Sequence, residues 1–173
     1  MTDPHFQPRR SIAPAGDDPI VLTGADLTVA DVEAVARHGV QAVLDVHARA
    51  RVQEARDVIE RLVAEGAVVY GVTTGFGALA DRTIAAADVE RLQENLLMSH
   101  AAGVGEPLPR DVVRAMLLLR ANTIALGHSG ARPEVVDRLL DFLRLGIHPV
   151  VPAQGSVGAS GDRFLVVWSA GRG

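Results

Sequence analysis

The feature that most constrains the fold of this chain is a pair of apolar segments. Each has a proline at its start and a glycine at its end. They are PRDVVRAMLLLRANTIALG (109–127) and RPEVVDRLLDFLRLG (132–146). Proline fits the first turn of a helix, where its missing N–H has no partner, and glycine readily ends a helix. The segments therefore predict two helices, one bounded by Pro109 and Gly127 and the other by Pro133 and Gly146.

Helical spacing of apolar residues also runs through the first half of the chain. The motif Thr28-x-x-Asp31 predicts a capping box at the start of a helix. The pattern resumes over 51–66, with Gly66 as the predicted stop, and again over about 88–100. The residues predicted to share one face of the first helix are Val29, Val32, Ala36, Val40 and Val43.

Strand signals are few and short. PIVLTG (19–24) predicts a short strand with a turn, and AVVYGV (67–72) predicts a buried strand. Residues 1–19 hold four of the nine prolines and little apolar periodicity, which predicts a flexible tail. A chain of 173 residues that is 48 % apolar suffices for one core. The expected fold class is mainly α, with two or three short strands.

The composition excludes several kinds of function. A net charge of −4 provides no basic surface for nucleic acid or an anionic membrane. The absence of cysteine excludes disulfides, thiol nucleophiles and cysteine–zinc sites, and fits a cytoplasmic protein. All 17 basic residues are arginine, so there is no lysine for a pyridoxal phosphate (PLP) Schiff base or a phosphate loop. The histidines show no metal-ligand spacing, and we expect no metal site.

The glycine-rich segment VPAQGSVGASGD (151–162) is open to two interpretations. Its composition is typical of a surface loop. A hydrolase elbow, G-x-S-x-G, is excluded at both serines, because aspartate or glutamine occupies one of the glycine positions. The chemical alternative is that the unhindered amide nitrogen of Gly161 attacks the carbonyl carbon of Ala159. Loss of two waters, one of them from the Ser160 side chain, would then leave an electrophilic methylidene group.

Three motifs follow one another along the chain: VYGVTTGFG (69–77), LQENLLMSHAAGVGEPL (92–108) and VVPAQGSVGASGD (150–162). From about Ile20 to Asp162 the sequence resembles the aromatic amino acid lyase family, most closely its histidine-deaminating members. The resemblance implies the mainly α fold of that family and the activity of an ammonia-lyase, which is a carbon–nitrogen lyase. It also implies assembly as a homotetramer, with no PLP and no metal.

In that family an Ala-Ser-Gly tripeptide cyclises to 4-methylideneimidazole-5-one (MIO), and the resemblance assigns this role to Ala159, Ser160 and Gly161. Ammonia is a poor leaving group, and a covalent adduct with an electrophile makes it a better one. Tyr70 matches the family's general base for the β-proton. The residues implied to shape a mobile loop over the site are Thr73, Thr74, Gly75, Phe76 and Gly77.

Ser99 and His100 end a predicted helix, where a histidine usually faces solvent or the helix dipole. In the family this pair occupies the position that selects the substrate, and histidine lyases carry Ser-His there. Because an imidazole needs a hydrogen-bond partner, His100 implies L-histidine as the substrate and urocanate and ammonia as the products. The alternatives are a phenylalanine or tyrosine ammonia-lyase, an aminomutase, or an inactive remnant without enzymatic activity.

The family pattern stops after Asp162, where an "LAPLAH"-like stretch would follow and this chain has RFLVVWSAGRG. The expected organisation is a tail (1–19), the N-terminal part of a lyase domain (20–162) and an off-pattern segment (163–173). We interpret the last segment as the product of a shifted reading frame or a truncation. Further site residues of the family, an Asn, a second Tyr, an Arg and a Glu, have no counterpart here. We therefore expect this chain alone to lack lyase activity.

Overall fold

A computed structural model describes residues 18–69, 72–74 and 103–155, together with Arg91, Glu94, Asn95 and Met98. The described part is mostly helical, which confirms the predicted fold class. Its elements, in chain order, are β1 (Ile20–Leu22), α1 (Val29–His38), β2 (Ala42–Leu44), α2 (Val46–Ala64), β3 (Val104–Pro107), α3 (Arg110–Ala125), α4 (Pro133–Leu145) and β4 (Pro152–Gln154).

The first helix begins as predicted and ends sooner. The Thr28 hydroxyl accepts from the Asp31 N–H (3.2 Å), and the Asp31 carboxylate accepts from the Thr28 N–H (2.9 Å), which completes the capping box. Gly39 then ends α1 in the left-handed region (φ +75°). The predicted helical face was therefore wrong beyond α1: Val40 follows the cap, and Val43 lies in β2.

Helix α2 begins earlier than the apolar pattern indicates, because Asp45 caps it. The Asp45 carboxylate accepts from the N–H groups of His47 and Ala48, both at 2.9 Å. The hydrogen bond from the Ala48 N–H is the main reason that the pKa of Asp45 lies below its ordinary value. Gly66, with φ +68°, follows the last turn as predicted. Arg56 and Glu60, one turn apart on this helix, form a surface ion pair.

Helices α3 and α4 confirm the prediction from their proline and glycine boundaries. Pro109 immediately precedes α3, and Pro133 is the first residue of α4. Gly127, which follows α3, has φ +79°, and a Cβ there would lie 2.9 Å from the Cβ of Arg51 on α2. Glycine is thus required both for the turn and for the close approach of α2.

The strands form two separate pairs in the described part. β1 runs parallel to β2, with Ile20 opposite Ala42, and β3 runs antiparallel to β4. β1 confirms the strand predicted from PIVLTG, whereas β2, β3 and β4 were not predicted. The buried strand predicted over 67–72 was wrong for its described residues: none of them lies in a strand, and Val68 is 65 % exposed.

Helix α3 lies at the centre of the core. Its inward face packs against buried side chains of β1, α1, α2 and α4, including Leu22, Val35, Val52 and Val136. The buried residues of α3 are Val113, Arg114, Leu117, Leu118, Ala121, Ile124 and Ala125. Within the described residues, no helix is long and apolar enough to cross a membrane.

Candidate functional site

Two of the predicted site residues, Thr73 and Thr74, belong to the described part of the chain. The others lie outside the described residues, and their arrangement stays a prediction: Tyr70, Gly75, Phe76, Gly77, Ser99, His100, Ala159, Ser160 and Gly161. The described structure nevertheless shows how the segments next to them are held.

The segment around Thr73 forms a hydrogen-bonded turn. The Thr73 hydroxyl accepts from the Val69 N–H (2.8 Å) and donates to the Ala67 carbonyl (2.6 Å). The Val69 carbonyl in turn accepts from the N–H groups of Val72 (3.1 Å) and Thr73 (3.0 Å). Thr74 is 1 % exposed and forms a β-bridge. These bonds fix the two sides of the motif in which Tyr70 occurs.

The antiparallel pair β3–β4 joins two other candidate segments. Val104 follows His100 by four residues, and Gln154 precedes Ala159 by five. In the pair, Val104 lies opposite Gln154 and Pro107 opposite Pro152, and the Leu108 N–H donates to the Val151 carbonyl (2.8 Å). The segment that follows the predicted selectivity pair is thus hydrogen-bonded to the segment that precedes the predicted cyclising tripeptide.

The contact between the two segments is close at Gly103. A Cβ added there would lie 2.7 Å from Cγ of Pro152, inside the shortest separation that carbon atoms tolerate. Gly105, in β3, has φ +90°, which favours glycine. Both glycines belong to the AAGVGEP sequence directly after His100, so this sequence provides the backbone shape that the pairing requires.

Sequence reasoning missed the most deeply buried charged group of the described core, Arg114 on α3, which is 6 % exposed. Its Nε donates to the carbonyls of Val35 (3.1 Å) and Ala36 (3.2 Å), and its Nη2 donates to Val35 (2.8 Å). Its Nη1 donates to the Leu143 carbonyl (3.0 Å). One guanidinium therefore satisfies last-turn carbonyls of both α1 and α4, where the helix dipoles favour a cation.

The same guanidinium holds His148, in the segment between α4 and β4. Arg114 Nη1 lies 3.2 Å from His148 Nε2. Because arginine only donates, Nε2 is the acceptor and the imidazole is neutral. Burial lowers the pKa of His148, and the charges of Arg110 and Arg114 lower it further. This network anchors the start of the segment that leads to β4.

Two further observations concern the described part of the chain. A cleft of about 660 Å³ lies between the C-termini of α1 and α4, and the described residues that line it include Arg37, Arg110 and Arg144. Among the described residues, no group of three or more His, Asp or Glu side chains is placed to hold a metal ion. The described segments nearest in sequence to the predicted site residues are the turn around Thr73 and the pair β3–β4.

The chain is similar in sequence to known proteins. A histidine ammonia-lyase of Symbiobacterium thermophilum is 58 % identical over 142 residues, covering 82 % of this chain and 28 % of the relative. The chain thus spans less than a third of that relative's length.

Solved structures are also similar. An ergothioneine-degrading enzyme, ergothionase, from Treponema denticola is 38 % identical with a TM-score of 0.77, covering 81 % of this chain and 28 % of the other. A histidine ammonia-lyase from Trypanosoma cruzi is 39 % identical with a TM-score of 0.74, covering 82 % and 27 %. Residues 27–167 match the sequence profile of the aromatic amino acid lyases, whose class depends on MIO. The motifs, the helical fold and this match over most of its length make the chain a member of the aromatic amino acid lyase family.

Proposed function

We propose that this chain is the N-terminal part of a histidine ammonia-lyase, which converts L-histidine to urocanate and ammonia. The observation that carries the proposal is the 58 % identity to a histidine ammonia-lyase over 142 residues. We further propose that the intact protein is a cytoplasmic homotetramer without PLP or metal. In this chain, residues 20–162 belong to the lyase domain, preceded by a tail and followed by an off-pattern segment.

The tripeptide Ala159-Ser160-Gly161 fits the chemistry of the MIO precursor. Closure joins the Gly161 nitrogen to the Ala159 carbonyl carbon, and two waters leave, one of them with the Ser160 hydroxyl oxygen. When formed, MIO supplies an electrophile for the substrate amine, which makes ammonia a better leaving group. The pairing of β4 with β3, five residues before Ala159, supports this role because it fixes one end of the segment that must close.

Tyr70 is the proposed general base that removes the β-proton of the substrate. The hydrogen-bonded turn on both sides of it supports this role, since the bonds made by Thr73 restrict the backbone of the motif. Residues 73–77 would then shape the loop over the substrate.

Ser99 and His100 are the proposed substrate-selecting pair. Their supporting observation is β3, which begins four residues after His100 and pairs with the segment that enters the cyclising tripeptide. A polar pair here suits an imidazole, whereas a phenyl ring requires an apolar wall. Because the ergothionase and the histidine lyase have nearly equal TM-scores, similarity of fold does not distinguish between their substrates. The alternatives are a phenylalanine or tyrosine ammonia-lyase, an aminomutase of this family, or an inactive remnant.

A chimera tests the proposal. Residues 20–162 are joined to the C-terminal part of the Symbiobacterium thermophilum enzyme, and urocanate formation is followed by its ultraviolet absorbance. We expect activity with L-histidine and a mass deficit of two waters, both abolished by Ser160→Ala. His100→Leu should reduce turnover of histidine while leaving the mass deficit intact. Preference for phenylalanine or tyrosine, or transfer of the amine instead of its release, would refute the assignment to histidine.

A further inference from the structure

Helix α3 is apolar on two opposite sides. At 100° per residue, its buried residues point into the core, and Val112, Met116, Leu119, Thr123 and Leu126 follow one line on the other side. We call this line the outer stripe. Val112 is 39 % exposed, Leu119 48 % and Leu126 38 %. The Thr123 hydroxyl donates to the Leu119 carbonyl (2.8 Å), so its polar atom is already satisfied within the helix.

The spacing of the outer stripe is that of a helix-packing seam. Its residues recur at intervals of four and three, the pattern by which one helix packs along another. From Val112 to Leu126 the stripe extends about 21 Å, at roughly 1.5 Å per residue. A surface helix normally keeps this side polar, and a helix that is apolar on both sides is typical of the interior of a larger assembly.

An apolar groove adjoins the outer stripe. It measures about 150 Å³ and lies between α3, α4 and the segment before β4, with Leu117, Leu139, Pro149 and Val151 among its lining residues. Met116 belongs to both the stripe and the groove, so the two form one continuous apolar surface. The exposed Arg120 lies at its edge and suits a partner with an acidic side chain nearby.

We infer that the outer stripe and groove form the docking surface for a helix of the C-terminal part of the lyase polypeptide. The inference rests on the proposed function, since it takes its partner from the same family. The length of the relatives argues for this occupant: the match covers 28 % of the Symbiobacterium thermophilum enzyme, so a polypeptide of that length would supply further helices able to cover the stripe. A helix there would cover α3 on its second side and bury the exposed leucines.

Fragment capture tests the inference. The 173-residue chain is co-expressed with a tagged C-terminal part of the Symbiobacterium thermophilum enzyme, and the amount co-purified is measured. We expect capture of the wild type and a loss of about tenfold or more for Leu119→Glu and for Val112→Glu, because each places a charge in an apolar seam. Val58→Glu is the matched control, because Val58 is 43 % exposed on α2, away from the stripe.

Thermal unfolding of each variant alone distinguishes a loss of docking from a loss of folding. The variants should unfold at the wild-type temperature, since the substituted side chains are half exposed. Failure to capture the wild type, or equal capture of all three variants, would overturn the inference. So would a wild-type dimer that Leu119→Glu dissociates, since a second copy would then be the occupant. A chimera inactive on histidine, with stripe-dependent capture retained, would refute the proposed function and leave the docking surface standing.

Discussion

Replacing Arg114 with methionine should destabilise the fold more than any surface substitution. Methionine matches the arginine side chain as far as Nε and keeps the apolar contacts of its stem, but it lacks the guanidinium and donates no hydrogen bond. The substitution leaves the carbonyls of Val35, Ala36 and Leu143 without their guanidinium partner. These groups belong to the last turns of α1 and α4, where no intrahelical donor replaces the lost one.

The magnitude follows from these three acceptors. A buried polar group left unsatisfied costs about 1–3 kcal/mol, so the sum before relaxation is roughly 3–9 kcal/mol. Local movement that admits water reduces this sum, and we expect a loss of about 4 kcal/mol in the free energy of unfolding. Domains are typically stable by only about 5–15 kcal/mol, so this loss is a large fraction of the total stability. The free energy of unfolding of Arg114→Lys should lie between those of the wild type and Arg114→Met. Lysine keeps a charged donor, but its single ammonium lacks the planar fork by which the guanidinium reaches both helix ends.

Urea unfolding, followed by circular dichroism at 222 nm, measures the effect. With a slope of about 2 kcal/mol per molar urea, the midpoint of Arg114→Met should fall by about 2 M. Arg120→Met is the control, since Arg120 is exposed on the same helix. If the two variants unfold at the same urea concentration, the carbonyls are satisfied without Arg114 and its stabilising role is refuted.

Three further predictions concern the other features of the fold. Thr28→Ala should lower the free energy of unfolding by about 1 kcal/mol through loss of the capping box, whereas Thr28→Ser should not; equal urea midpoints would contradict this. Gly103→Ala should speed amide hydrogen exchange at Leu108, because the added Cβ disturbs the pairing of β3 with β4. Adding Pro152→Ala removes the clash and should restore slow exchange. Unchanged exchange in the single variant would disprove the contact. The pKa of His148 is lowered in the folded state, so below about pH 6.5 the unfolded state binds more protons than the folded state. The free energy of unfolding should therefore fall as the pH drops from there, and His148→Gln should flatten this dependence. An equally steep profile in the variant would assign the dependence to another group.

Local signals in the sequence predicted several helix boundaries but missed the end of α1 and the start of α2. The capping box at Thr28 and the boundaries at Pro109, Pro133 and Gly146 are set by neighbouring residues, so short motifs reveal them. The strands β2, β3 and β4 have three or four residues each, too few for a periodic pattern to emerge. Their pairing depends on chain segments far apart in sequence, which no local pattern reports.

The site is predictable in a different way. Ala159, Ser160 and Gly161 are adjacent, so their cyclisation can be proposed from the sequence. The tripeptide alone also fits a surface loop, and its assigned role depends on the resemblance that the three motifs carry together. Arg114 gives no such signal: its acceptors on α1 lie 78 and 79 residues away, and an arginine in an apolar helix is ordinarily solvent-exposed. A buried arginine whose partners are backbone carbonyls is visible only after the helix ends have been brought together.

Helix α3 connects the parts of the molecule that the proposed chemistry requires. Its first turn follows β3 directly, since Leu108 and Pro109 alone separate them, and the Leu108 N–H holds the Val151 carbonyl at the entrance to β4. One turn further along, Arg114 holds His148, three residues before Val151. The segments next to the predicted selectivity pair and the cyclising tripeptide are therefore both fixed to the N-terminal half of α3. The outer stripe begins on that same half at Val112, so a helix docked there would rigidify the supports of both segments. From this arrangement we expect closure of the tripeptide to depend on assembly with the rest of the polypeptide.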